Sequence, residues 1–289
     1  MPMSTGTAAG VPYLAVPPSG HTDGPAPVVV AWHLMDPPRT EAAFAAAVPL
    51  DGLDAWRIYL GLPMCGARMP AGGPDELMRL GYEDAVLNLQ GPIATQGAQE
   101  FPAAYTALRE QLGLADDAAL ALVGGSMGSA IAQLVLAESG PAAGITASAA
   151  VLISPIVSLR AAVDAIGRRY GVEYAWGPES LEVSRRLDFV ARADELAGAG
   201  QPAVQLVVGA EDDVAGFQEP ARQLRDAIAE RYDDASRAGL VVVAGMGHAL
   251  AEEPGVDPAP QAAHAATVDQ HAVGWLRAHL RAPAERRTR

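Results

Sequence analysis

The chain has 289 residues, half of them hydrophobic, a size that suits one compact α/β domain with a small insertion. Its 34 acidic and 20 basic residues give a formal net charge of −14, which argues against nucleic acid or an anionic membrane surface as a partner. All the basic residues are arginines, which excludes chemistry that needs a lysine amine, such as a pyridoxal-phosphate Schiff base. Cys65 is the single cysteine, which excludes an internal disulfide and a thiolate zinc cluster.

The beginning of the chain carries no recognisable targeting signal. Residues 1–10 lack both a basic start and an apolar run of signal-peptide length. The longest apolar runs are strand-sized, far below the roughly 20 residues of a membrane span. We therefore expect a cytoplasmic protein with no membrane segment, while its oligomeric state is left open. The Ala, Gly and Pro content of both ends predicts fraying there, with 281–289 as a solvated tail.

Short apolar runs alternate with longer helical patterns along the chain. Buried strands are predicted at residues 27–32, 55–60, 120–123, 149–153, 203–208 and 240–243. Helices are predicted between them, at 41–48, 99–112, 129–138, 218–232 and 261–280. This alternation indicates an α/β fold with a doubly wound, mostly parallel sheet covered on both faces.

One long segment interrupts the alternation. Residues 156–200 show helical patterns and no strand, although they connect two predicted strands whose usual connection would be much shorter. We expect this segment to form a small helical cap inserted in a single domain that spans 1–289.

The first candidate site residue lies in a glycine-rich turn. Gly124-Gly125-Ser126-Met127-Gly128 matches the G-x-S-x-G nucleophile elbow, in which a serine sits on a sharp turn between a strand and a helix. Glycines are needed beside the serine because Cβ atoms would clash there. A predicted strand leads into this turn and a predicted helix leaves it. The motif therefore predicts Ser126 as a nucleophile.

A serine hydroxyl needs a neighbouring base to take its proton, and two later loops supply candidates. Glu211-Asp212-Asp213 follow the predicted strand at 203–208, and His248 follows the one at 240–243. Both loops lie past the carboxyl ends of parallel strands, where such sheets place their sites. His248 is the predicted base. The three neighbouring acids are all candidates to orient it.

The order serine, acid, histidine is that of the α/β-hydrolase superfamily. Over nearly its whole length the chain resembles the serine hydrolases of this superfamily, with its esterase and prolyl-oligopeptidase-like branches. The resemblance implies the α/β-hydrolase fold. It also favours Asp212 as the acid over Asp213, because the superfamily usually places the acid three residues after the glycine that ends this strand.

The resemblance further implies an oxyanion hole made of two backbone N–H groups. One belongs to Met127, which follows the nucleophile. The other belongs to the loop after the first predicted strand, where Met35 is the expected donor and Leu34 the alternative. Leu34 stands where the superfamily often has a glycine after a histidine, here His33, so this half of the hole departs from the usual pattern.

Three aromatic residues in the expected cap are candidates for substrate binding. Tyr170, Tyr174 and Trp176 fall within seven residues of sequence, where they either line an acyl or aromatic pocket or hold the cap in place.

These features together predict a serine hydrolase that cleaves a small carboxylic ester or related acyl substrate through an acyl-enzyme intermediate. No metal or organic cofactor is expected, because the serine, histidine and aspartate supply the chemistry. A peptidase, a thioesterase or an acyltransferase would use the same residues. A ligand-binding protein of this fold, with slow or no turnover, is the alternative outside these enzyme classes.

Overall fold

The structure is a computed structural model that describes residues 3–20, 24–198 and 200–280. Its strands are β1 (Ser4–Ala8), β2 (Val11–Val16), β3 (Val28–Trp32), β4 (Trp56–Leu60), β5 (Leu120–Gly125), β6 (Ala149–Ile153), β7 (Ala203–Gly209) and β8 (Ala238–Val243). Over the described ranges they form one sheet in the order β1-β2-β4-β3-β5-β6-β7-β8. The pairs from β4 to β8 are parallel, and β1 and β2 are antiparallel to their neighbours. The predicted α/β class with its mostly parallel sheet is confirmed.

Helices cover both faces of this sheet. They are α1 (Glu41–Ala47), α2 (Gly73–Asp84), α3 (Gly91–Leu112), α4 (Met127–Leu134), α5 (Gly140–Ala142), α6 (Leu159–Tyr170), α7 (Pro178–Arg186), α8 (Ala193–Ala197), α9 (Glu219–Ala229) and α10 (Ala263–His279). Turns of π-helix at Ala85–Gln90, Val135–Ser139 and Val214–Gln218 adjoin α3, α4 and α9. No helix in the described part of the chain is long and apolar enough to cross a membrane.

The central strands are buried along their whole length, as their apolar sequences predict. Every residue of β3 to β7 is buried, and successive side chains point to opposite faces. In β3, Val30 and Trp32 join the core that α3 and α4 cover, whereas Val29 and Ala31 join the core that α1 and α10 cover. The carboxyl ends of these buried strands are thereby held in a fixed row.

The segment between β6 and β7 contains α6, α7 and α8. Its base is tied to the helix that follows the serine motif. Glu138 accepts hydrogen bonds from the Arg186 guanidinium, at 2.6 Å for the shorter contact, and pairs with Arg192 at 2.9 Å. Inside this connection, Ser158 and Asp188 form an isolated antiparallel bridge.

The expectation of a frayed N-terminus is wrong from Ser4 onward. Residues of β1 and β2 form a hairpin through Ala9 and Gly10, whose φ angles of 46° and 85° are those of a tight two-residue hairpin turn. Pairing of β2 with β4 anchors this hairpin at the sheet edge. The tail predicted at 281–289 lies outside the described residues.

Two helical regions differ from the sequence prediction. No helix was predicted at α2, which contains no fully buried residue; of its half-buried positions only Leu77 and Leu80 carry large apolar side chains, while Met78 and Tyr82 are exposed. Helix α3 begins at residue 91 rather than 99, because Pro92 occupies its first turn, where proline costs no hydrogen bond.

Candidate active site

Ser126 lies in a turn that only small neighbours allow. Its φ of 45° and ψ of −112° place a non-glycine residue in a strained region, and its N–H donates to the Ile153 carbonyl at 2.8 Å. A Cβ on Gly124 would lie 2.4 Å from the Gly128 carbonyl oxygen, and one on Gly128 would lie 2.4 Å from the Trp32 carbonyl oxygen. Both motif glycines are thus required by close backbone approach between β5, α4 and the end of β3.

The structure brings Ser126, His248 and Asp212 into one hydrogen-bonded row. Nε2 of His248 lies 2.8 Å from Oγ of Ser126, and Nδ1 lies 2.8 Å from Oδ2 of Asp212. In the tautomer that satisfies both contacts, Nδ1–H donates to the carboxylate and Nε2 accepts from the hydroxyl. The other Asp212 oxygen accepts from the N–H of Asp213 at 2.8 Å, which fixes the carboxylate plane.

The two other acids of this loop are placed elsewhere. The Asp213 side chain accepts from the Gly216 N–H at 2.7 Å and pairs with Arg168 at 3.0 Å. Glu211 is exposed, and its N–H donates to the Met246 carbonyl at 2.9 Å. Of the three candidates, Asp212 is therefore the acid in contact with His248.

Three neighbours hold His248, and sequence analysis identified none of them. The Ser154 hydroxyl donates to the His248 carbonyl at 2.9 Å, and the Phe217 ring lies 4.2 Å from the imidazole, centre to centre. Gly209 leaves room for the loop, because a Cβ there would lie 2.1 Å from the Met246 carbonyl oxygen. Ser154 directly follows β6 and so had the same positional signal as Asp212, whereas Phe217 lies in the π turn Val214–Gln218 and had none.

The side chain of the unusual Leu34 packs against Gly125 of the nucleophile motif. Leu34 is fully buried, and a Cβ on Gly125 would lie 2.3 Å from its Cδ1. The side chain of Leu34 therefore occupies the space that Gly125 leaves empty. The departure from the usual histidine–glycine pair is accommodated inside the nucleophile motif itself.

The buried ring of His33 holds the loop that carries Leu34 and Met35. It is fully buried, and burial lowers its pKa to about 4, so its ring is neutral. The Leu62 N–H donates to Nε2 at 3.2 Å, which leaves the proton on Nδ1 to be donated to the Leu34 carbonyl at 2.6 Å. Met35 follows on this loop and is half-buried against the core, while Met127 is buried at the start of α4.

Asp36 is a further acid at this site that sequence analysis missed. Its Oδ2 lies 3.9 Å from Nε2 of His248. The only available signal was its position after the carboxyl end of a predicted parallel strand, which is the same signal that singled out Asp212.

The cap aromatics do not contact Ser126 or His248 through any observed hydrogen bond or ring contact in the described residues. Tyr174 donates to Asp84 at 2.6 Å, Trp176 donates to Asp164 at 3.2 Å, and the two rings meet edge to face. Tyr170 is 71% exposed. Tyr174 and Trp176 also line a pocket of about 510 Å³ on the cap. Their hydrogen bonds and ring contact support a role in holding this segment in place, whereas substrate binding stays a prediction, because Ser126 and His248 are not among the residues that line this pocket.

Several solved structures have a similar architecture. TT1662 from Thermus thermophilus matches 98% of this chain and all of its own, with a TM-score of 0.63 and 18% identity. A puromycin-hydrolysing peptidase from Mycobacterium tuberculosis matches 96% of this chain over 40% of its own, with a TM-score of 0.60 and 16% identity. Carboxyl esterase 2 from Tuber melanosporum matches 97% of this chain over 89% of its own, with a TM-score of 0.58 and 15% identity.

The strand order and these neighbours define the α/β-hydrolase fold, as the sequence resemblance implied. The sequence itself matches no family model and no curated protein. Within the described ranges, no group of three or more His, Cys, Asp or Glu side chains is arranged to hold a metal ion.

Proposed function

We propose that this protein is a serine hydrolase that cleaves a carboxylic ester or related acyl bond. The observation that carries the proposal is the position of His248, whose two ring nitrogens lie 2.8 Å from the Ser126 hydroxyl and 2.8 Å from the Asp212 carboxylate. This geometry lets one imidazole accept a proton from a nucleophile while a buried carboxylate stabilises the resulting cation.

The reaction proceeds in two balanced halves. Ser126 Oγ attacks the acyl carbon while His248 takes its proton, and the resulting imidazolium protonates the leaving alcohol as the ester bond breaks. Water then gives a proton to His248 and attacks the acyl-enzyme. The serine oxygen regains its proton as the acid leaves, and the free enzyme is restored.

Two amides complete the site in this proposal. The Met127 N–H belongs to the first turn of α4, where backbone donors have no partner within the helix. His33 holds the Leu34 carbonyl, and in a trans peptide the N–H points opposite to the carbonyl. The N–H of Met35 therefore points away from His33, which supports Met35 rather than Leu34 as the second oxyanion donor.

Both ester and peptide bonds fit these residues, and esters are the first substrates to test because one neighbour that is itself named an esterase has this fold. The carboxyl esterase neighbour is nearly matched end to end, whereas this chain spans 40% of the peptidase neighbour.

The first experiment is covalent labelling. The purified protein is incubated with a small uncharged fluorophosphonate and its intact mass is measured, with Ser126→Ala alongside. One adduct on the wild type and none on the variant is expected, followed by turnover of p-nitrophenyl esters. An unlabelled wild type with a native circular dichroism spectrum would contradict the proposal and favour a ligand-binding protein of this fold.

A further inference from the structure

An acidic side chain stands on the open side of the proposed catalytic row. Oδ2 of Asp36 lies 3.9 Å from Nε2 of His248, the nitrogen that also contacts Ser126. The Asp36 side chain is 54% exposed, so a bound molecule can reach it. In the proposed reaction, Nε2 passes a proton to the leaving group. Asp36 is therefore next to the space that the leaving group occupies.

The backbone around Asp36 is held firmly to the loop that carries His248. The Pro37 carbonyl accepts from the N–H groups of Leu250 at 2.9 Å and Ala251 at 3.3 Å. Arg39 N–H donates to the Gly255 carbonyl at 2.7 Å. Both prolines after Asp36 are buried. The position of the Asp36 backbone relative to the His248 loop is thus set by two loops bound to each other.

Asp36 carries a charge without a cationic partner in the part of the chain that the structure describes. No arginine there lies within 4 Å of its carboxylate, and the nearest arginine in sequence, Arg39, pairs with Glu253 at 2.7 Å. His248 is engaged by Asp212 on its other nitrogen. A substrate that covers Asp36 with a neutral group removes water from an unpaired ion, which is unfavourable.

We propose that Asp36 selects substrates with a positive charge on the leaving-group side, such as esters of alkylammonium alcohols. A cation there pairs with Asp36 and compensates for the water that is displaced, whereas an anionic leaving group is repelled. The inference rests on the proposed function and names its substrate class. Asp36 is a specificity-determining residue in this reading, and Asp212 orients the base.

Two phosphonothiolates with the same uncharged phosphonyl group test this. One has a 2-(trimethylammonio)ethanethiol leaving group and the other its uncharged isostere, 3,3-dimethylbutanethiol. In both, Ser126 Oγ bonds to phosphorus, the P–S bond breaks, and the thiolate leaves while His248 takes the serine proton. Labelling rates are measured for the wild type, Asp36→Asn and Asp257→Asn. Asp257 is an exposed acid on the neighbouring loop and serves as the matched control.

The wild type is expected to react faster with the cationic probe, by roughly three- to tenfold. In Asp36→Asn this preference should fall to near unity while the rate with the uncharged probe is kept or raised. Asp257→Asn should keep the wild-type preference. A third probe, with the cation on the phosphonyl group and an uncharged thiol, should not respond to Asp36→Asn.

The contrary results are distinct. Equal loss with both leaving groups would show that Asp36 acts on His248 rather than on the substrate, and would overturn the proposal. The same loss in Asp257→Asn, or a response confined to the third probe, would overturn it as well. Failure of an uncharged fluorophosphonate to label Ser126 would instead defeat the proposed function, and the substrate class with it.

Discussion

The glycine before the nucleophile differs in kind from the two glycines that define the motif. A Cβ on Gly124 or Gly128 would meet backbone atoms, which cannot move aside without shifting a strand. A Cβ on Gly125 would instead meet a side chain, that of Leu34. The clash at Gly125 is therefore one that a second substitution is able to relieve.

Gly125→Ala is expected to destabilise the protein by about 1–3 kcal/mol through overpacking. Leu34→Ala alone should cost about 2–5 kcal/mol, because it leaves a cavity. The double variant should be more stable than the sum of the two predicts, by about 0.5–3 kcal/mol, in urea unfolding. Gly124→Ala combined with Leu34→Ala is the control, and additivity is expected there. Additivity in both pairs would contradict the contact.

The two adjacent aspartates allow a matched test of the acid. Asp212→Asn removes the charge beside His248 and favours the wrong tautomer, so kcat should fall by about 10³–10⁴. Asp213→Asn alters a helix-start contact and a pairing with Arg168, so its kcat should stay within about threefold of the wild type. Ester hydrolysis by both variants decides this, and equal losses would contradict the assignment.

His33 makes the stability of the protein sensitive to acid. Burial lowers its pKa from the ordinary 6.5 to about 4. Below pH 6.5 the imidazole is therefore protonated in the unfolded chain while it stays neutral in the folded one. The free energy of unfolding is therefore unaffected by His33 titration above pH 6.5, and it falls by up to about 3 kcal/mol as the pH drops to 4.

His33→Gln keeps a donor for the Leu34 carbonyl and an acceptor for the Leu62 N–H, and it cannot titrate. We expect it to be less stable than the wild type at pH 7, with the difference shrinking toward pH 4.5. Urea unfolding at several pH values measures this. A difference that stays constant with pH would show that His33 does not carry the predicted shift.

At the scale of elements, the proposed cap between β6 and β7 packs on the core through buried residues such as Leu187 and Phe189, and one carboxylate adds a charged contact to the end of α4. Burial alone would raise the pKa of Glu138, but hydrogen bonds from Arg186 and Arg192 hold it below its ordinary value. Both arginines lie between β6 and β7, while Glu138 lies in the π turn after α4. The charges therefore join the cap to the helix that begins at the serine.

Glu138→Gln should loosen this junction. Backbone amides of α7 are expected to exchange hydrogen faster, by roughly three- to tenfold, because one partner of a partly buried ion cluster is lost. Glu182→Gln is the control, since Glu182 pairs with Arg185 on the exposed surface of α7. Equal exchange in the wild type and both variants would show that the cap is held by apolar packing alone.

How far the sequence predicts each element depends on where its contacts lie. The central strands are apolar throughout, so their runs locate them closely whatever their neighbours are. The hairpin β1–β2 is stabilised by pairing with β4, a partner far along the chain; β1 consists of small and polar residues, and Pro12 interrupts the apolar run of β2. In helix α2 the large apolar residues Met78 and Tyr82 are exposed and only Leu77 and Leu80 lie on the half-buried face, so its apolar residues do not mark the face that packs.

The same reasoning applies to the site. Ser126, Asp212 and His248 each follow a strand that the sequence reveals, so parallel strand order predicts that they meet. Phe217 and Ser154 support His248 through contacts made only after folding. Ser154 follows β6 but has no motif around it, and Phe217 lies in a π turn beyond β7, so neither role could be predicted from its position.

At the scale of the whole molecule, the cap and the sheet are expected to unfold together. Trp32 is buried in β3 and Trp176 lies in the connection between β6 and β7, so the two rings report on different regions. With 5-fluorotryptophan, their ¹⁹F resonances should lose intensity at the same urea concentration. A lower midpoint for Trp176 would show that the cap unfolds first and is not part of one cooperative unit.

The order of the strands along the chain also determines when the site can form during synthesis. Ser126 follows β5, in the middle of the sheet, but Asp212 and His248 follow β7 and β8, the last strands made. A chain that has left the ribosome as far as β6 carries the serine with neither its acid nor its base. Under the proposed function, the nascent protein is inert toward esters around it and becomes reactive only when its final strands join the sheet.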